Sequence, residues 1–326
     1  EGHFAPNEVL DEAELIARGK VVGPEDTEVD AQGRIYAGLA DGTVVRIDGG
    51  AVTTFADTGG RPLGMEFDAG GNLIVADAVH GLLSISPKGD VEVLSTQSNG
   101  VPFRFTDDLA IADDGTIYFS DASHRFGHPH YRLDLLSGRG RGRLMAYDPE
   151  TDETRTIMDN LYFANGVALG EDDAFVLVNE TARYRIQRYW LKGDRAGQSE
   201  VFVDNLPGFP DNISRDEEGI IWLALANKRN RQIDGLHPHP WLKDMVAKLP
   251  GWVQPGPEPY GFVAAFNGEG QLLGSFHDTD GDRLRMVTSV KARQGALYFG
   301  SLYSDRIGRL ERDRAVEALD AVENVE

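Results

Sequence analysis

Short runs of apolar residues, about four to six long and often alternating with polar ones, punctuate this chain between Gly, Asp and Pro turns. The clearest stretch is 63–94. Residues 63–67 alternate, Asp68-Ala-Gly-Gly71 turns, and 72–76 runs apolar. His80-Gly81 turns again into Leu82-Leu83-Ser84-Ile85, and Pro87-Lys-Gly-Asp90 leads into 91–94. Period-two runs between Gly, Asp and Pro turns predict four strands of an antiparallel meander. The turn phrase recurs along the chain: Asp30-Ala-Gln-Gly33, Asp68-Ala-Gly-Gly71, Ala112-Asp-Asp-Gly115, Asp216-Glu-Glu-Gly219 and Ala292-Arg-Gln-Gly295, with a degenerate sixth copy at Gly170-Glu-Asp-Asp173. Their turn positions are 38, 44, 58, 46 and 76 residues apart. A period of about 40–50 residues is that of one four-stranded propeller blade. The expected fold is therefore all-β, a six-bladed propeller occupying 1–326 as a single domain.

Two spacings are long. One contains the Gly/Arg/His-rich stretch 125–143; the other contains 227–260, in which 241–249 carries apolar residues at helical spacing between Pro240 and Pro250. Both read as insertions over one face of the disc, the second with a short helix, and both are candidate lids.

Equivalent offsets from the turns fall at equivalent places around the propeller axis. Eight residues before each turn position stand Glu25, Leu63, Asp107, Asn165, Asp211 and Val287. Four of the six are hard oxygen donors, and the offset places them near the start of each innermost strand. Converging carboxylates repel or take up protons unless a cation lies among them. Oxygen donors without His or Cys favour Ca²⁺, with Mg²⁺ or Mn²⁺ ranked below it, over zinc. A wet channel lined by hydrogen-bonded polar residues is the alternative. Asp26, Asp108 and Asn212 follow three of these positions and could add donors or support them.

Several phrases resemble the calcium-dependent six-bladed propellers, a group that includes gluconolactonases, the senescence marker protein family, paraoxonases and related phosphotriesterases. They are Gly23-Pro24-Glu25-Asp26, Phe163-Ala-Asn165-Gly-Val167 and Leu206-Pro-Gly-Phe-Pro-Asp211-Asn212-Ile213. Arg185-Ile-Gln-Arg-Tyr-Trp-Leu-Lys-Gly193 and Leu297-Tyr-Phe-Gly-Ser301 resemble the strictosidine-synthase-like branch, which includes the adipocyte plasma membrane-associated proteins. The resemblance implies Glu25, Asp107, Asn165, Asp211 and Asn212 as metal ligands. It also implies a calcium-dependent hydrolase of lactones or aryl esters acting on a small molecule. Asp211 is then the expected base or nucleophile, with Asp107 or Asp108 in reserve. A non-catalytic binding propeller with a structural calcium and a promiscuous phosphotriesterase are the competing readings. Two departures stand out. Pro62-Leu63-Gly64 lacks the His that paraoxonases carry in that phrase, and Thr288 replaces the Glu that strictosidine synthase itself uses. The alkaloid-forming condensation is therefore not expected.

Charge and composition narrow the partners. The net charge of −21 repels phosphate backbones, so nucleic acid is not expected. There is no cysteine, which removes disulfides and thiolate chemistry. No apolar run approaches the roughly 18 residues of a membrane span. The resemblance, with a chain that starts at Glu1, suggests an extracytoplasmic location after removal of an N-terminal segment. Asp278-Thr-Asp-Gly-Asp282 begins like a calcium loop but has Ser289 where an EF-hand needs Glu, so it reads as a polar turn. His124, His128 and His130 read as solvated loop residues, His237 and His239 as loop, and Arg139-Gly-Arg-Gly-Arg143 as a salt-bridged or substrate-facing loop. No serine-hydrolase elbow, phosphate loop or dinucleotide fingerprint occurs.

Overall fold

The computed structural model describes residues 4–229 and 258–323. Six four-stranded antiparallel sheets follow one another along the chain. The innermost strands are, in order, Thr27–Val29, Pro62–Phe67, Thr106–Ile111, Ala164–Leu169, Gly208–Arg215 and Val287–Arg293. Each runs into the next strand of its blade through the turn read from the sequence. Gly33, Gly71, Gly115, Gly219 and Gly295 have φ between 77 and 91°, and in the degenerate copy Asp173 takes φ 52°. Left-handed backbone at this position is why the phrase keeps glycine.

The core lies between blades. Six apolar clusters each join the facing sides of adjacent sheets. Val75 and Leu83 of blade two, for example, meet Tyr36 and Val44 of blade one. Trp222 of blade five meets Val290 and Leu297 of blade six. Both faces of the inner strands are thus covered, so Leu73–Asp77 and Ile117–Asp121 are buried at every position and do not alternate.

The sixth blade is closed by the other end of the chain. Glu14–Ile16 pairs with Ile307–Glu311 as its outermost strand. A three-residue strand carries no readable period, so the sequence reading missed it. It also missed the helix Arg312–Glu323, which packs Ala315 and Leu319 against blades five and six. The helix expected near 241–249, with His237 and His239, lies outside the described residues. No helix among the described residues is long and apolar enough to cross a membrane.

The insertion at 125–143 forms a 3-10 turn at His128–His130 and a helix at Tyr131–Ser137. Tyr131 and Leu135 pack on Leu63, Phe105, Phe163 and Leu302. Leu63 is one of the six offset residues, and Phe105 and Phe163 each stand two residues before another. The insertion therefore covers the mouth of the channel.

Candidate functional site at the channel mouth

Each innermost strand of blades two to six carries a β-bulge near its start. Thr106 pairs with Asp121 and Leu109 with Phe119, so Asp107 and Asp108 share one opposing residue. The same irregularity falls at Leu63-Gly64, Asn165-Gly166 and Asp211-Asn212. A bulge releases two successive residues from strict alternation and re-aims them. That explains why paired donors such as Asp211-Asn212 can serve one site. Blade six departs from the offset rule. Its bulge leaves out Thr288, between Val287 and Ser289. Its hairpin turns on two residues, Gln294-Gly295, whereas Asp68 and Asn72 enclose three, so the count of eight lands one residue early. The sixth channel position is thus Thr288, not Val287.

The bulges approach one another closely. A Cβ on Gly64 would stand 2.6 Å from the Asp108 Cα, and one on Gly166 2.6 Å from the Ile213 nitrogen. Glycine at these two places lets neighbouring blades converge.

Glu25, Asp107, Asn165, Asp211 and Asn212 are all buried. Asn212 Nδ2 donates to Glu25 Oε1 at 3.1 Å, and Asn165 donates to the Asp211 carboxylate. Asn179 Nδ2 donates to the Asp211 carbonyl, and Thr288 Oγ1 to the Glu25 carbonyl at 2.8 Å. Among the described residues, Glu25 Oε2, Asp107 Oδ2, Asn165 Oδ1 and Asn212 Oδ1 have no hydrogen-bond partner. Two pairs of the expected ligands are thus bonded, Asn212 with Glu25 and Asn165 with Asp211, and four blades each carry one unsatisfied oxygen. Buried acceptors without partners are costly, and a hard cation would satisfy them. Among the described residues, no three His, Cys, Asp or Glu side chains stand close enough to hold a metal by themselves. An ion here would have to draw on the amide oxygens of Asn165 and Asn212 as well.

The electrostatics point the same way. Burial pushes the Glu25 carboxyl well above its usual range, and Asp211, Asp26 and Asp107 raise it further against the opposing pull of Arg61. Asp107 rises well above its range through burial, then through Asp211, Asp108 and Asp121. Burial lifts Asp211 to about 7, tempered by the bond from Asn165. Without a cation, this level holds carboxyls that resist ionisation.

The residues around the donors fall into place from their local bonds. Asp108 Oδ2 accepts from Val167 N at 2.8 Å, tying blade three to blade four. Asp121 accepts from the backbone of Arg104 and Phe105 at 3.0 and 2.9 Å and pairs with Arg143 at 2.7 Å. The Arg139–Arg143 motif thus braces the approach to Asp107, while Arg141 holds Asp134 of the lid helix at 2.8 Å. Both bonds agree with the salt-bridged reading. His124 and His130 are exposed, as expected, but His128 is not simply solvated. Its ring stacks on Phe105 at 5.9 Å, and burial, then Arg61, lowers its pKa. Asp278 closes its turn with bonds from Gly281, Arg283 and Leu284 at 2.7–2.9 Å, as a polar turn should.

Two buried cations were missed by the sequence reading, Arg61 and Lys291. Lys291 had a signal, a lysine inside the otherwise uncharged run 287–292 of an innermost strand. Arg61 had none.

Residues 107–194 match the strictosidine synthase family, and residues 2–47 match the N-terminal region of strictosidine synthase-like proteins. Strictosidine synthase-like 3 of Arabidopsis thaliana is 35% identical over 90% of this chain and 83% of its own length. The adipocyte plasma membrane-associated protein of Homo sapiens is 35% identical over 95% of this chain and 80% of its own. The chain belongs to the strictosidine-synthase-like family. Among solved structures, this family member is similar to a gluconolactonase from Xanthomonas campestris, with TM-score 0.67 and 16% identity over 93% and 90% of the two chains. It is also similar to regucalcin from Agrobacterium tumefaciens, described as a calcium-binding protein, with TM-score 0.62 and 14% identity over 94% and 93%. At such identities these likenesses are of fold alone.

Proposed function

We propose that this strictosidine-synthase-like propeller is a calcium-dependent hydrolase of lactones or aryl esters. The observation that carries the reading is a set of four oxygens, buried and unpartnered among the described residues, Glu25 Oε2, Asp107 Oδ2, Asn165 Oδ1 and Asn212 Oδ1. Their number and chemistry fit a hard cation, and Glu25, Asp107, Asn165, Asp211 and Asn212 would hold it. A bound Ca²⁺ supplies a Lewis acid for the ester carbonyl and a counter-charge for the oxyanion.

The protein groups do the rest. Asp211 takes the proton of the attacking water as that oxygen adds to the carbonyl carbon. The acyl C–O bond then breaks and the proton passes to the leaving oxygen, giving a hydroxy acid from a lactone or an acid and a phenol from an aryl ester. The Asn165 bond fixes the orientation of Asp211. Asp107 is the alternative base, because it shares the same level and lacks a partner at Oδ2. Leu63, Phe105, Phe163 and Tyr131 would exclude bulk water and offer apolar walls to the acyl or aryl group. The solved gluconolactonase and the calcium-binding regucalcin of the same fold support this reading.

The test is a panel of lactones, aryl esters and a phosphotriester, assayed with calcium and again with chelator, on the parent and on Asp211→Asn. Calcium-dependent turnover of the carbonyl esters that falls in the variant supports the proposal. Binding of panel members without turnover moves the chain to the non-catalytic reading.

A further inference from the structure

Below the donor level, the channel holds a second set of buried charges. Asp26 and Asp108 each follow a candidate ligand, and both are buried. Asp26 Oδ2 accepts from Met65 N at 3.0 Å, yet among the described residues Asp26 Oδ1 and Asp108 Oδ1 have no partner. Into this set reaches Lys291 from blade six. Its Nζ stands 2.6 Å from Asp26 Oδ2 of blade one and donates to the Met65 carbonyl of blade two. The charge of Asp108 in blade three also acts on it. One ammonium therefore joins oxygens of two blades other than its own, and the charge of a third acts on it from beyond ion-pair distance.

The neighbouring acids are satisfied elsewhere. Arg293 grips Glu28 with two bonds, at 2.6 and 2.9 Å, and stands 3.8 Å from Glu66. Lys291 is 3.9 Å from Glu28, too far to be its main partner. That leaves Lys291 as the cation paired with Asp26, with the Asp108 carboxyl as a further charge nearby. A carboxylate and a carbonyl on one point charge, with the unpartnered Asp26 Oδ1 and Asp108 Oδ1 buried beside them, are the kinds of donor a divalent cation takes. The 2.6 Å contact is close to the roughly 2.3–2.6 Å of a calcium–oxygen bond.

We propose that the Lys291 ammonium is the built-in cation of a second oxygen site, formed by Asp26, Asp108 and the Met65 carbonyl, and that this site takes a divalent ion once the lysine side chain is removed. The lysine makes the lower channel independent of metal. Only the upper level then asks for an ion, and the blades stay joined when calcium is withdrawn.

The experiment compares the parent with Lys291→Ala, which empties the site, and Lys291→Met, which fills it without charge. Each is stripped with chelator, titrated calorimetrically with calcium chloride, and melted with and without it. Lys291→Ala should bind one more calcium per chain than the parent, whatever number the parent binds. In chelator both variants should melt below the parent. Calcium should then raise the Lys291→Ala midpoint by several degrees more than that of Lys291→Met. Adding Asp26→Asn to Lys291→Ala should abolish the extra ion. An equal stoichiometry in parent and Lys291→Ala overturns the proposal, as does equal calcium stabilisation of the two variants. A Lys291→Ala chain that stays unfolded in millimolar calcium overturns it too, because the ion is claimed to replace the ammonium. Failure of the hydrolase reading would leave this comparison intact, since it reads ions and stability, not turnover.

Discussion

Asn212 Nδ2 donates to Glu25 Oε1 at 3.1 Å, a bond between the fifth and first blades that spans 187 residues of sequence. The sixth blade lies between them around the disc, so the bond crosses the mouth of the channel. It uses one Glu25 oxygen and leaves Oε2 buried and unpartnered.

Glu25→Gln should therefore act in opposite directions with and without calcium. In chelator it removes a carboxyl that burial and three acids oppose, so the midpoint of melting should stay level or rise. With calcium it should lose most of the stabilisation that the parent gains. Differential scanning fluorimetry in both buffers reads this, and a variant that falls equally in the two would remove Glu25 from the ligand set.

The same logic fixes a pH dependence for the calcium-free protein. Asp211 is raised to about 7 and Asp108 to about 8, both mainly by burial. An unfolded Asp titrates near 3.9. The folded state therefore holds these protons more tightly. Its stability from them is fully present below about pH 4 and is lost as pH rises through 7 and 8. Chelated protein should melt progressively lower from pH 5 to pH 8, and calcium should stabilise it more at pH 8 than at pH 5. Calcium stabilisation that shrinks as pH rises would contradict the burial account.

If Asp211 is the base, Asp211→Asn should lower kcat by roughly a hundredfold or more, the usual scale for general base catalysis. Calcium binding should survive, because Asn keeps an oxygen donor. Asp107→Asn should weaken calcium more than it slows the saturated enzyme. Isothermal titration beside steady-state kinetics separates the two roles, and the reverse pattern would exchange them.

The lid predicts a substrate preference. Tyr131→Ala removes a ring that lies 5.9 Å from Phe105 and 6.2 Å from Phe163. KM for aryl esters should rise by up to about tenfold, as the loss of an aromatic contact worth about 0.5–1.5 kcal/mol implies. Small lactones should be affected far less. Equal effects on both substrate types would mean that the lid shapes no binding surface.

Gly64→Ala tests the convergence of the bulges. The added methyl would press on Asp108, and overpacking of this kind costs about 1–3 kcal/mol. Urea denaturation should show a lower midpoint with an unchanged slope.

Much of this was readable in the chain. The turn phrase marks a left-handed residue that only glycine, or Asp173 in one copy, adopts at low cost, so it survives as a visible ruler. Because the blades repeat one geometry, a fixed offset from that turn put Glu25, Leu63, Asp107, Asn165 and Asp211 near the start of each innermost strand. It failed at Val287, where the two-residue turn at Gln294-Gly295 shortens the hairpin and brings Thr288 into place. His128 read as a solvated loop residue because its cover, Phe105, lies 23 positions away in sequence.

By itself, the sequence determined what is local and repeated: the strands, the turns, the number of blades and the donor types at one level. Tertiary structure decided what depends on separate blades meeting. The bulges that aim Asp107 with Asp108 and Asp211 with Asn212 exist only in paired strands. The strand Glu14–Ile16 has no period of its own and is defined by its partner Ile307–Glu311. Lys291 becomes a bridge to Asp26 and Met65 only when the disc closes, because those oxygens are 265 and 226 residues away and are drawn together by the burial of six apolar interfaces.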